Sequence, residues 1–274
     1  MFLLSAFADE IDPDPGVQLN VLEQCQIRYV ELRSAWRTNI LDLTDSQVAE
    51  LKRLLDARGI GVSAIGSPIG KVKISDPFEP HLERFRRALD LCRVFHTPNI
   101  RIFSYYPAEG APWRQHRDEV LRRLRVKVEL AAQAGVRLLH ENEHRIYGES
   151  PDRVVDLLTS LESQHFRAIC DPANYVFCGH DPWAGWQQTK RWTVHFHIKD
   201  WVYGESHGRL AGEGQANLER ILADAWADGF SGFVTLEPHL LGGGPTGGVT
   251  GVELFPRAAA ALRTILDRLG AKYA

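Results

Sequence analysis

The sequence contains few of the features that mark secreted, thiolate-binding or membrane proteins. Only four cysteines occur in 274 residues, none in a CxxC pair: Cys25, Cys92, Cys170 and Cys178. A disulfide framework and a zinc site built on thiolates are therefore not expected, and a reducing compartment fits this composition. No segment supplies the ~20 consecutive apolar residues that a membrane-spanning helix needs.

An excess of basic residues is also absent. Lysine and arginine number 32 against 35 acidic residues, for a net charge of -3, so the electrostatic footprint of a nucleic-acid-binding protein is lacking. The opening segment MFLLSAFADE has an apolar run too short for a secretion signal, no basic residue, and the acidic pair Asp9-Glu10. We expect a cytoplasmic protein that binds neither nucleic acid nor membrane.

Short β-rich runs alternate with helix-like segments along the whole chain. The runs cover residues 3–7, 29–32, 61–65, 100–103, 136–139, 166–170, 193–198 and 232–236. Strands that alternate with helices are typical of βαβ units and a parallel sheet, and a (β/α)8 barrel needs about 250 residues. No linker, charge block or low-complexity tract divides the chain. We therefore predict an α/β protein with one domain over residues 1–274, a single (β/α)8 TIM barrel.

Polar residues collect where the β-rich runs end, most clearly in the last four runs. Glu141 lies in LLHENE, Asp171 in ICDPAN, His197 in HFHIKD and Glu237 in TLEPH. The carboxyl ends of barrel strands meet at one mouth, where barrel enzymes build their sites. Four neighbouring strands would thus surround one point with three carboxylates and an imidazole. Such a set suits one divalent cation. Mn2+ is the first choice, and Mg2+, Co2+ or Zn2+ are the alternatives.

A second interpretation of these acidic residues needs no metal. Each carboxylate could end its own strand as a separate polar group and form a salt bridge with a basic neighbour such as Arg33, Arg101 or Lys199. For any single residue this interpretation is the simpler one. The occurrence of such residues on four consecutive strands favours the shared metal site.

The order Glu, Asp, His, Glu on strands five to eight resembles the xylose isomerase-like (AP endonuclease family 2) barrels. The motifs YVELR, SPIGK, IRIFS, HENE, DPAN, HIKD and LEPH extend over nearly the whole chain and are similar to the sugar phosphate isomerase/epimerase-like branch. The resemblance implies that Glu141, Asp171, His197 and Glu237 bind the metal, and that Glu141 and Glu237 also form the acid/base pair. It implies a small sugar or polyol-ketone as substrate. A homo-oligomer is left open.

Other polar residues near the strand ends are candidate substrate-binding groups: Arg33, Arg101, Glu143, Asn174 and Lys199. Arg101 and Lys199 have the structural alternative of pairing with barrel carboxylates. Asn174 stands where the ketose epimerases place a substrate-binding histidine, and an amide cannot carry a proton at neutral pH. Arg101, Asn174 and Lys199 also resemble positions used by dehydroshikimate dehydratases.

More than one reaction is compatible with such a metal site. Removal of a proton beside a metal-polarised carbonyl gives an enediolate, which leads to epimerisation, to isomerisation or, with loss of a β-hydroxyl, to dehydration. We predict a metal-dependent isomerase or epimerase. The alternatives are a dehydratase of a cyclic hydroxy-ketone such as 3-dehydroshikimate and a non-catalytic sugar-binding barrel. Endonuclease activity is not expected, because Ser67, Phe103 and Asn174 stand where further histidines would be required.

A glycine-rich segment runs from Gly242 to Gly251, and Gly242, Gly244 and Gly247 satisfy the pattern GxGxxG. Dinucleotide binding requires this pattern in an early βαβ unit, whereas Pro245 interrupts it here near the end of the chain. We expect a flexible loop, with closure over a substrate or contact with a phosphate as the alternative.

Overall fold

Parallel strands form the wall of a barrel in the computed structural model, which describes residues 1–108, 110–243 and 247–274. The barrel strands are β1 Phe2–Ala6, β2 Tyr29–Leu32, β3 Gly61–Ile65, β4 Asn99–Ile102, β5 Arg137–Glu141, β6 Phe166–Cys170, β7 Thr193–Ile198 and β8 Gly232–Leu236. A two-stranded ribbon, Ser34–Ala35 with Thr38–Asn39, extends the loop after β2.

The strands are hydrogen-bonded in the order β1, β8, β7, β6, β5, β4, β3, β2, and every pair is parallel. The two ends of this order, β1 and β2, lie side by side and complete the ring. The predicted single (β/α)8 TIM barrel is confirmed. Because all strands run the same way, their carboxyl ends lie together at one mouth.

Helices cover the outside of the barrel. They are α1 Pro15–Gln24, α2 Asp45–Ala57, α3 Phe78–Phe95, α4 Arg117–Gln133, α5 Pro151–Ser160, α6 Pro172–Phe177, α7 Pro182–Thr189, α8 Leu218–Ala227 and α9 Phe255–Arg268. Helix α2 begins with a capping box in which the Thr44 hydroxyl accepts the Gln47 N–H. Its buried stripe, Val48, Leu51 and Leu55, belongs to the hydrophobic core. Among the described residues, no helix combines the length and apolar character needed to cross a bilayer.

The strand boundaries predicted from the sequence agree with the structure for five strands. The predicted bounds 3–7, 100–103 and 136–139 differ by one or two residues from the observed strands Phe2–Ala6, Asn99–Ile102 and Arg137–Glu141. A strand ends where its hydrogen bonds to the neighbouring strand end, and residue type alone does not show that point. The extension of β5 matters for function, because it makes Glu141 the last residue of the strand.

Candidate active site and metal centre

Four side chains from neighbouring strands converge at the mouth of the barrel. One ligand atom from each of Glu141, Asp171, His197 and Glu237 lies within 4.8 Å of the corresponding atoms of the other three, and all four residues are buried. Residues of this kind from separate strands meet only because the barrel closes. The shared point that the sequence predicts is therefore present in the structure. The assignment of these residues as ligands stays a prediction.

Strand alternation and a helix cap explain how these side chains reach the same point. His140 points out of the barrel to the Ser104 hydroxyl, at 2.9 Å, so its neighbour Glu141 points inward. Asp171 follows β6 and caps α6, its carboxylate accepting the Asn174 N–H at 3.0 Å. His197 lies inside β7, and Glu237 directly follows β8.

The two ring nitrogens of His197 have different surroundings. Nε2 lies 3.2 Å from Glu31 Oε2 in a hydrogen bond, and since a carboxylate only accepts, Nε2 carries the hydrogen. Nδ1 lies 3.2 Å from Glu141 Oε1, and this buried nitrogen makes no hydrogen bond. In the neutral ring, Nδ1 therefore offers its lone pair to the point where the carboxylates meet.

Beneath His197, polar side chains form a chain of hydrogen bonds inside the barrel. His195 Nε2 lies 2.7 Å from the Thr235 hydroxyl, and that hydroxyl donates to Glu31 Oε2 at 3.1 Å. His195, one inward-facing position deeper than His197 on β7, is thus a hydrogen-bonded residue of the barrel interior. This network holds the Glu31 carboxylate, and thereby the His197 ring, in one orientation.

Basic side chains contact the same carboxylates. Lys199 Nζ lies 2.6 Å from Asp171 Oδ2 and 3.0 Å from Glu237 Oε2. Arg101 contacts Glu141 at 3.3 Å, and Arg33 donates to Glu237 at 2.8 Å. The salt bridges of the second sequence interpretation are therefore present together with the convergence. These cations balance the negative charge of the three acidic groups.

The pKa values of the site follow from burial and from these pairs. Burial dominates at Asp171, where it raises the carboxyl pKa to about 6 against the opposing effect of Lys199. At Glu237, burial is outweighed by the cations, with Lys199 first, and the pKa is held well below the usual range. Burial lowers the His197 pKa, but Glu141 and Glu31 raise it to about 10. A cation at Nδ1 would have to displace that proton.

Asn174 supports the site from α6. Its side-chain amide donates to Glu141 Oε1 at 3.1 Å and to the Asn142 carbonyl at 2.9 Å. The amide therefore orients the Glu141 carboxylate, and Asn174 also lines the cavity above the site. This position between a candidate ligand and the cavity is compatible with the predicted contact to a substrate hydroxyl.

A cavity of about 580 Å3 opens above the four residues. All five candidate substrate-binding residues line it: Arg33, Arg101, Glu143, Asn174 and Lys199. Among the four converging residues, Glu237 reaches the cavity directly. Glu143 accepts a hydrogen bond from Lys71 at 2.9 Å, so its carboxylate turns towards the loop after β3. The volume is within the range of small-molecule sites, about 300–1,000 Å3.

Sequence reasoning missed two features of this region. It did not predict that Glu31 lies under His197, or that His239 pairs with buried Glu10 at 2.8 Å.

In the glycine-rich segment, Gly244 and Pro245 lie outside the described residues. Gly247 packs so closely on Arg33 that an added Cβ would come within 2.3 Å of the guanidinium carbon. Position 247 therefore requires glycine if Arg33 is to stay in place.

The donor set fits a divalent cation. Three carboxylates and one imidazole nitrogen suit Mn2+, Mg2+, Co2+ or Zn2+, and the unpartnered Nδ1 of His197 provides a buried lone pair beside the carboxylates. Glu141, Asp171, His197 and Glu237 would hold the ion. Lys199, Arg33 and Arg101 would remain near it as groups that face the cavity.

Comparison with known proteins agrees with this fold. Residues 19–265 match the family described as xylose isomerase-like TIM barrel, and the chain belongs to that family. A 3-dehydroshikimate dehydratase of Bacillus anthracis is 26% identical over 129 residues, which cover 47% of this chain and 46% of that protein. The match thus spans about half the length of this curated relative.

Solved structures share the fold at low sequence identity. A xylose isomerase-like TIM barrel protein of Mycobacterium smegmatis, in complex with magnesium, has a TM-score of 0.75 and 17% identity, covering 98% of this chain and 97% of that chain. The D-psicose 3-epimerase of Clostridium cellulolyticum H10, with D-tagatose, has a TM-score of 0.73 and 16% identity, with 98% and 99% covered. At these identities the likeness concerns the fold.

Proposed function

We propose that the protein is a divalent-metal-dependent isomerase or epimerase of a sugar or related hydroxy-ketone. The observation that carries the proposal is the convergence of Glu141, Asp171, His197 and Glu237 on one point below a cavity. When bound there, the cation would polarise the substrate carbonyl and stabilise the enediolate left by proton removal. The protein's own residues would bind the hydroxyl groups and move the proton.

Glu141 and Glu237 are the groups proposed to move that proton. Both carboxyl pKa values are lowered: burial raises them, but nearby cations outweigh it, so each group is ionised and able to act as a base. Arg101 lies between them, 3.3 Å from Glu141 and 4.0 Å from Glu237. Two bases from different strands allow a proton to leave one face of a carbon and to return to the other.

The two glutamates differ in their neighbours, which supports different roles for them. Glu237 lies 3.0 Å from the Lys199 ammonium, and both groups line the cavity, so this pair holds a proton on Lys199 beside the substrate. Glu141 is held by Asn174 and Arg101, and neither an amide nor a guanidinium readily gives up a proton. We assign Glu141 as the base that removes the proton, and the ion pair of Glu237 and Lys199, whose proton is on Lys199, as the group that returns one.

Deuterium exchange tests this proposal. The protein should be incubated with Mn2+ and a panel of ketoses in D2O, and deuterium at carbon followed by NMR. We expect exchange with at least one ketose, and a loss of about a hundredfold or more in rate for Glu141→Gln and Glu237→Gln. The exposed residue Glu129 provides the matched control Glu129→Gln, which should exchange at the normal rate. Absence of exchange with every ketose would overturn the assignment.

A second candidate, dehydration of a cyclic hydroxy-ketone, is favoured by the match to the 3-dehydroshikimate dehydratase. The same proton removal would be followed by loss of a β-hydroxyl, with Lys199 placed in the cavity to protonate the leaving oxygen. Incubation with 3-dehydroshikimate separates the two reactions. A conjugated product that absorbs in the near ultraviolet supports the dehydratase, whereas deuterium exchange without loss of water supports the isomerase or epimerase.

A further inference from the structure

The lining of the cavity above the candidate metal centre combines charged and aromatic side chains. Arg101, Lys199 and Glu237 lie among the converging carboxylates. Three further lining residues carry aromatic rings: His144, Phe177 and Trp201. The ring centroids of Phe177 and Trp201 are 5.4 Å apart, and those of Phe177 and His144 are 5.2 Å apart. These three rings are called the aromatic wall below.

The chain places the aromatic wall through the same segments that supply two of the candidate ligands. Asp171, Asn174 and Phe177 are spaced three residues apart from the cap to the end of α6, so they follow one side of that helix. His197, Lys199 and Trp201 alternate along the end of β7 and the residues after it. The wall therefore has a fixed position relative to the proposed reaction centre.

The apolar side chain of Phe177 is only partly buried. It is 42% exposed, whereas Trp201, which it contacts edge to face, is only 6% exposed. A partly exposed phenyl ring that is held by a buried indole and lines a cavity offers an apolar surface to a ring with an apolar face. Both sugar rings and aryl rings have such a face. Glu143, which also lines the cavity, can accept hydrogen bonds from hydroxyl groups beside the wall.

The cavity is larger than one sugar ring requires. A hexose has roughly twelve non-hydrogen atoms. Each atom occupies less than ~30 Å3, which is the volume of one water molecule in the liquid, so a hexose needs less than about 360 Å3. The cavity of about 580 Å3 therefore keeps at least about 220 Å3 free, which holds the six carbons of an aryl ring at the same allowance and a second sugar ring where the atoms pack more tightly. A free monosaccharide bound beside the metal centre would leave part of this volume unfilled.

We infer that Phe177, Trp201 and His144 form a subsite for a second ring, so that the substrate is a glycoside whose hydroxy-ketone ring carries a further ring. The inference rests on the proposed function for the position of the hydroxy-ketone ring. The second ring is recognised by its apolar face, which either a sugar or an aryl group provides. In both cases contact with Phe177 makes the protein bind a glycoside with two rings more tightly than a glycoside with a single ring.

Binding measurements without turnover test this inference. Isothermal titration calorimetry in the presence of Mn2+ should compare methyl β-D-glucoside, phenyl β-D-glucoside and cellobiose. We expect at least one of the two-ring ligands to bind about tenfold more tightly than the methyl glucoside. Tighter binding of the phenyl glucoside alone identifies an aryl group, and tighter binding of cellobiose alone identifies a sugar ring. Either result supports the subsite.

Variants show whether Phe177 is responsible. Phe177→Ala should remove the preference for the two-ring ligand, and Phe177→Leu, which keeps most of the volume without the ring, should reduce it. Tyr203, exposed by 66% and outside this cavity, gives the control Tyr203→Ala, which should keep the preference. Equal affinities for all three ligands, no binding of any of them, or a preference unchanged by Phe177→Ala would overturn the inference. The deuterium-exchange result does not enter these outcomes, so the two proposals can fail separately.

Discussion

At the scale of single residues, the site depends on how each nitrogen and oxygen is oriented. The clearest case is Glu31, which is fully buried and accepts the hydrogen of His197 Nε2. Burial raises the Glu31 pKa, but His197 and His195 outweigh it and hold the pKa below its usual range, so the group is ionised. An ionised acceptor at Nε2 makes Nδ1 a better donor to a cation.

Glu31→Gln should therefore weaken Mn2+ binding by about tenfold, because a neutral acceptor keeps the ring orientation but lowers the basicity of His197. The affinity can be measured by calorimetry, with Glu129→Gln as the control. Nitrogen NMR of the histidine rings should show that the hydrogen on Nε2 of His197 is retained. An affinity equal to that of the unchanged protein would show that Glu31 has only a structural role.

At the scale of elements, the loop between β3 and α3 supports one side of the cavity. The Gly70 N–H donates to His81 Nε2 at 3.0 Å, so that nitrogen carries no hydrogen. Gly70 has a φ of +98°, and an added Cβ would lie 2.0 Å from the Phe103 carbonyl oxygen. This geometry restricts the position to glycine. Lys71, the next residue, lines the cavity.

His81 should make the stability depend on pH. Burial, followed by the charge of Lys127, lowers its pKa from 6.5 to about 3. Below pH 6.5 the unfolded chain binds a proton that the folded chain does not, so the free energy of unfolding falls as the pH decreases towards 3. His81→Gln keeps an acceptor for Gly70 but cannot titrate. Between pH 7.5 and 5, its stability should fall by about 2 kcal/mol less than that of the parent protein.

Urea unfolding of both proteins at the two pH values measures this difference. The acidic groups titrate alike in both, so their contribution cancels in the comparison. Equal losses of stability in the parent protein and in His81→Gln would contradict the assignment of His81 as the responsible group.

The elements themselves are the part of the structure that the sequence predicts well. Periodicity, the Thr44 capping box and the β-rich runs are local signals, and they predict the barrel and most strand bounds. Contacts between distant segments lack such a signal. Glu31 and His197 are 166 residues apart, and their contact arises only from closure of the ring. For the same reason the sequence left open which acids Lys199 would contact, and the structure pairs it with Asp171 and Glu237.

At the scale of the whole molecule, the barrel brings like charges together and must balance them. Glu141, Asp171 and Glu237 are buried side by side, and Lys199, Arg33 and Arg101 contact them. Desolvated carboxylates at such short range are unfavourable without cations. A cytoplasmic location stays a prediction from the sequence.

A crystal structure with Mn2+, measured at a wavelength where manganese scatters anomalously, tests the metal centre most directly. We predict one strong anomalous peak about 2.0–2.3 Å from His197 Nδ1 and from one oxygen each of Glu141, Asp171 and Glu237. A peak ligated instead by Glu10, Glu237 and His239, the neighbouring acidic cluster, would contradict the account. So would the absence of any peak while Lys199 and the two arginines still bridge the carboxylates.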